Sequence, residues 1–198
     1  MGASTVPSPY REVPTLLVVT PLAALVLALL LAQLRRRGAL TVLRALVALA
    51  TCVYLAGVVA NTVLPIYLDK PASGLPWHAY LNLRPLTGTD VADMLQNVLV
   101  FVPLGVLLPL VTRLRSVPAV ALGGLALSLA MELAQLANSV SGHGGHVADV
   151  NDLLANTLGA PLGYLLLRLV ERAPGGRRLV RAATWPPPAD RRPATTVR

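Results

Sequence analysis

Five runs of apolar residues dominate the chain, and each is long enough to cross a bilayer as a helix, for which about 20 residues are needed. They extend from Val13 to Leu34, Ala39 to Leu64, Val91 to Val111, Val117 to Ala137 and Val150 to Val170. The pattern predicts an all-α polytopic membrane bundle of five transmembrane helices. Polar residues interrupt it in few places. Asp93, Gln96 and Asn97 open the third run, while Ser128, Glu132 and Gln135 stand in the fourth. Asp149, Asp152 and Asn156 open the fifth, and Asn61 closes the second. Asp149, Asp152, Asn156, Gly159 and Gly163 follow one another at steps of 3, 4, 3 and 4. On a helix that spacing is a single stripe, and a stripe of polar and small residues needs a partner helix.

Composition agrees with a membrane protein. Of the residues, 55% are hydrophobic and 13% charged, and the mean hydropathy is +0.64, outside the usual range of soluble domains. The single cysteine, Cys52, has no partner for an internal disulfide and reads as a small buried hydrophobe. The first run is no cleavable signal: it is long, and Arg35, Arg36 and Arg37 follow it without a small-residue cleavage pattern.

The formal charge of +8 changes the picture only through its distribution. Five spans place 14 of the 17 basic residues on one side of the membrane, leaving Arg11, Lys70 and Arg84 on the other. Cytoplasmic loops collect Lys and Arg, so the N-terminus is expected outside and the C-terminus inside. The same distribution argues against nucleic acid as a partner. Four regions follow: a short outer segment (1–12), two N-terminal helices (13–64), a region of three helices and two outer loops (65–170), and a basic, Pro-rich cytoplasmic tail (171–198) expected to be disordered.

With this orientation the polar residues of four spans fall at one depth, near the outer surface. Such groups inside spans are costly and face a bundle interior or a wet cavity. Structural roles compete with functional ones. Asp149 is placed to cap its helix, and Asp152 is favoured by the helix dipole. Asn97 and Gln135 suit hydrogen bonds between helices, and Gly159 with Gly163 suits close packing. Glu132 is harder to assign to packing, because a carboxylate below the interface must be protonated, paired or hydrated. Arg84 or His146 would supply the pair.

Two outer loops carry further chemistry. Asn82-Leu83-Arg84-Pro85-Leu86 sets a lone basic residue beside a stiffening proline. His143, His146, Asp149 and Asp152 step by three, a donor set zinc can use. The glycines around His143 make a loose loop, however, and thiolates and a compact HExxH pattern are lacking. Neither a metal nor a cofactor is expected.

These blocks carry a family resemblance. Asn82-Leu83-Arg84-Pro85-Leu86, then Gln96-Asn97 with Phe101-Val102-Pro103-Leu104-Gly105, then Glu132-Leu133-Ala134-Gln135, resemble the VanZ-like family. So do Asp149, Asp152-Leu153-Leu154-Ala155-Asn156-Thr157-Leu158-Gly159 and Gly163-Tyr164, so the resemblance covers roughly Asn82 to Leu167. Members commonly carry arginine three residues before the first aspartate, where this chain has His146. A titratable group therefore stands where a fixed cation would be. The family is named for a protein associated with resistance to the glycopeptide teicoplanin. The resemblance implies an integral protein of a bacterial cytoplasmic membrane connected with the cell envelope, and implies no enzyme activity.

Two functional classes follow. In the first and preferred, a non-enzymatic accessory module uses Asn82, Arg84, Asn97, Glu132, Gln135, His146, Asp149, Asp152 and Asn156 to bind the headgroup of a membrane lipid or lipid-linked cell-wall precursor. In the second, a small membrane enzyme uses Glu132, or the Asp149 and Asp152 pair, as general acid or base on a lipid-linked substrate. Glu132 is the best catalytic candidate. A transporter ranks third, since five spans without an internal repeat are few, although a homo-oligomer would add more.

Overall fold

In a computed structural model, residues 9–62, 64, 66–71, 73–88 and 90–186 are described. Five helices are long and apolar enough to cross a membrane: α1 (Thr15–Arg36), α2 (Val42–Thr62), α3 (Val91–Val111), α4 (Val117–Val140) and α5 (Val150–Arg172). A short sixth helix, α6 (Gly176–Ala183), follows. Two-residue strands β1 (Leu81–Asn82) and β2 (Ala148–Asp149) pair in parallel, Leu81 with Ala148 and Asn82 with Asp149. The bundle is all-α, as the hydrophobic pattern predicts, and the observed ends lie within a few residues of those expected.

Local chemistry sets the helix starts. Asp90 caps α3 by accepting the Ala92 N–H, and Ser116 caps α4 by accepting the Ala119 N–H. Asp149 caps α5 through the Asn151 N–H at 2.7 Å. It stands in β2, ahead of the helix, so the stripe on α5 itself begins at Asp152.

Helices α3 and α5 form the tightest pair. Gly105, Gly159 and Gly163 are buried where the two backbones meet, the small-residue packing expected of helices in lipid. Phe101, Leu104, Val120, Ala160 and Tyr164 form one core cluster. Val47, Leu107, Leu110 and Leu167 form a second with Val180 and Ala183 of α6. Helix α1 touches α2 and leaves leucines such as Leu16 and Leu17 about three-quarters exposed, 76% and 74%. That surface is what a lipid-facing helix requires.

The two ends of the bundle differ. At the loop end, Val13 N–H donates to the Ile66 carbonyl, and Tyr67 N–H to that of His143. Lys70 Nζ reaches the Gly144 carbonyl at 2.7 Å. At the opposite, arginine-rich end, Tyr164 donates its hydroxyl to the Arg115 carbonyl, and Trp185 N–H donates to that of Leu110.

The expectation of a disordered tail from residue 171 is corrected here. Helix α5 continues to Arg172 and α6 folds back against α2 and α5. Arg177, Arg178 and Arg181 make this segment look polar, but Gly176, Val180 and Ala183, at i, i+4 and i+7, form a buried face. The expectations for 1–8 and 187–198 lie outside the described residues.

Candidate functional site

The β1–β2 pair brings the loop before α3 against the start of α5, and this places the polar residues. Asn82 Nδ2 donates to Asp149 Oδ2 at 2.9 Å. Asp149 Oδ1 accepts from Asn151 Nδ2 at 2.9 Å as well as from the Asn151 N–H. Both oxygens of Asp149 are therefore occupied by structural bonds. Across the interface, Glu132 Oε2 accepts the Asp149 backbone N–H at 2.8 Å, tying α4 to the entry of α5.

Two further contacts carry the polar seam down the bundle. Asn97 Nδ2 donates to Asp152 Oδ1 at 2.6 Å, joining α3 to α5. One turn deeper, Asn156 Nδ2 donates to Ser128 Oγ at 3.0 Å, joining α5 to α4. Glu132, Asn156 and Ser128 are buried. Three helices thus meet on a seam from Asp149 to Asn156.

The 84–87 turn is held at the mouth of this seam. Leu86 adopts φ 59°, a left-handed conformation uncommon for a residue with a side chain. The Asn151 side chain fixes it: Oδ1 accepts the Leu86 N–H at 2.6 Å, and Nδ2 donates to the Arg84 carbonyl at 3.3 Å. Asn151 is 0% exposed. The turn leaves Leu83, Arg84 and Leu86 exposed at the rim.

The expected residues divide accordingly. Asn82 and Glu132 both bond Asp149, Asn97 bonds Asp152, and Asn156 bonds Ser128, so the six expected residues among them lie along one seam. Arg84 is near through its backbone, with an exposed side chain. His146 contributes its carbonyl, which accepts from Ser139 Oγ at 2.6 Å. Gln135 holds a buried Oε1 without a partner among the described residues. Asn61 stays on its own helix, donating to the Gly57 carbonyl.

One expectation is overturned. Among the described residues neither Arg84 nor His146 forms an ion pair with Glu132; the Asp149 peptide N–H takes that place. The sequence reading also missed Asn151 and Ser139. Asn151 lies off the polar stripe in the first turn of α5, and an amide there is a signal for an anchored loop.

The free functional groups can now be named. Among the described residues Glu132 Oε1 and Asp152 Oδ2 accept no hydrogen bond, and the Asn156 Oδ1 acceptor is buried without a partner. The seam thus offers more acceptors than donors. No group of three or more His, Cys, Asp or Glu side chains among the described residues is arranged to hold a metal ion.

A sequence model of the VanZ/LLP1 family matches residues 51–171, a stretch that contains every residue of the seam. The chain belongs to the VanZ/LLP1 family. Comparisons with curated proteins and with solved structures gave no match. In this VanZ/LLP1 protein the matched stretch begins at Thr51, midway along α2, and runs through α3 and α4 to the last turn of α5, whereas α1 and α6 lie outside it.

Proposed function

We propose that this VanZ/LLP1 protein is a non-enzymatic accessory protein of the bacterial cell envelope, spanning the cytoplasmic membrane with the seam at the outer face. There the seam binds the headgroup of a lipid or lipid-linked cell-wall precursor, a role that would connect the protein to glycopeptide susceptibility. The observation that carries this reading is the pair of unoccupied carboxylate oxygens, Glu132 Oε1 and Asp152 Oδ2, beside an exposed turn. Acceptors held in a partly buried site favour a ligand with donors, such as an amine or a hydroxyl-rich headgroup. Arg84 at the rim is free to meet the phosphate that such headgroups carry.

The second reading, a membrane enzyme using Glu132 as general base, draws on the same free oxygen. Among the described residues Glu132 makes no hydrogen bond to a serine, cysteine or histidine side chain. A substrate would have to bring the reacting hydroxyl itself.

The test is Glu132→Gln in the purified full chain, with bound lipid identified by mass spectrometry. Glutamine keeps an acceptor for the Asp149 N–H, so unfolding temperature stays near wild type. Enrichment of amine- or hydroxyl-bearing lipid falls about tenfold or more, as expected for losing a charge-assisted bond of about 1.5–3 kcal/mol. Unchanged enrichment overturns the binding reading. Accumulation of an unprocessed lipid in the variant favours the enzyme instead.

A further inference from the structure

The arginine-rich end of the bundle holds a cavity far from the carboxylate seam. Its volume is about 390 Å³, within the ~300–1,000 Å³ span of small-ligand sites. Arg44, Arg115, Arg168 and Arg181 line it together with a single carboxylate, Glu171. Leu110, Leu167 and Val180 also line it and belong to the buried core.

The arginines are not equivalent. Arg44 is pinned, with Nε donating to the Thr184 carbonyl at 3.0 Å and Nη1 to that of Ala39 at 2.9 Å. Arg168 is paired with Glu171 at 2.5 Å. Arg115 and Arg181 make no side-chain hydrogen bond or ion pair among the described residues. They come from different parts of the fold: Arg115 precedes α4, and Arg181 lies on α6. The Trp185 backbone N–H, bonded to the Leu110 carbonyl at 2.8 Å, ties the chain after α6 to the end of α3 beside them.

We propose that this cavity is a binding site for a phosphate-bearing anion, with Arg115 and Arg181 as its two free clamps. Guanidinium groups present paired donors that match phosphate oxygens. A concave wall of four guanidiniums and one carboxylate keeps an excess of positive charge that an anion offsets. Arginines lining the same cavity as Leu110, Leu167 and Val180, at the ends of the spans, suit the headgroup and upper acyl chains of an anionic lipid. A free phosphate has the same oxyanion chemistry without the chains.

Trp185 lines the cavity and Trp77 lies at the loop end, so Trp77→Phe leaves one fluorescent reporter beside the site. In detergent at fixed ionic strength, the full-length Trp77→Phe protein is titrated with short-chain phosphatidylglycerol, glycerol 3-phosphate and inorganic phosphate. A saturable change in Trp185 emission is expected with at least one of them. Response to the lipid alone identifies a lipid headgroup, and an equal response to the soluble anions identifies free phosphate. Arg115→Gln with Arg181→Gln weakens binding about tenfold or more. The control, Arg35→Gln with Arg36→Gln, removes the same charge outside the cavity and leaves binding unchanged. Each clamp is also changed singly, so one folded variant is enough to decide. No saturable signal with any probe, wild-type binding in the clamp variants, or equal loss in the control overturns the site.

Discussion

A Cβ added to Gly163 would stand 1.9 Å from the Val102 carbonyl oxygen, a contact no real structure tolerates. Gly159 stands in the same relation to Val98, at 2.2 Å, and Gly105 of α3 to Ala160 of α5, at 1.9 Å. The two helices are therefore in backbone contact over about two turns, and the depth at which Asn97 meets Asp152 depends on it.

Gly163→Ala should accordingly push α3 and α5 apart and destabilise the protein by about 1–3 kcal/mol, the usual cost of overpacking. Gly57 is the control. A Cβ there meets nothing within 4 Å, so Gly57→Ala in the α2 interior should be neutral or stabilising by up to about 1 kcal/mol. Thermal unfolding in detergent measures both. Equal effects at the two positions would contradict the close packing.

Asn151→Ala should loosen the 84–87 turn. It removes the partner of the Leu86 N–H and one of the two donors to the Arg84 carbonyl and to Asp149 Oδ1, which keep Thr87 Oγ1 and the residue-151 N–H. The left-handed backbone at Leu86 costs roughly 1–3 kcal/mol and persists only where its surroundings fix it. Hydrogen exchange at Leu86 should rise strongly while the middle of α3 stays protected. Wild-type exchange at Leu86 would mean that the turn holds itself.

Asp69 gives a pH dependence outside the membrane spans. Its carboxyl is held below the ordinary value of 3.8, first by the Arg11 backbone N–H, against which desolvation acts, and further by the Arg11 guanidinium. A depressed value in the folded state means that the contribution is full above the unfolded value and is lost as pH falls through the folded one. The junction between residues 11 and 69 should thus hold at neutral pH and open in acid. Arg11→Ala removes the guanidinium and keeps the N–H, whereas Arg11→Pro removes both, so the carboxyl should rise further in Arg11→Pro than in Arg11→Ala. Carbon-13 titration of the Asp69 carboxyl reads the difference, and identical curves for the two variants would refute the assignment.

A reporter enzyme fused after Arg198 should remain on the cytoplasmic side, as the gathering of basic residues between and after the spans predicts. A reporter active only outside the cell would invert the protein. The carboxylate seam would then face the cytoplasm, and its proposed access to the outer leaflet would fail.

Hydrophobic run length by itself determined the five helices, because about 20 apolar residues have one economical structure in lipid. The 3.6-residue period likewise placed Asp152, Asn156, Gly159 and Gly163 on one face before any partner was known. Tertiary structure decided what those residues touch. Glu132 meets a peptide N–H instead of Arg84 or His146 because β1 and β2 pair residues 67 positions apart, and no local pattern encodes so distant a contact. Asn151 gained its importance in the same way, from a turn delivered by another part of the chain. Helix α6 escaped detection because eight residues with three arginines have too little apolar surface to fold alone. They become a helix only where α2 and α5 offer a face to cover.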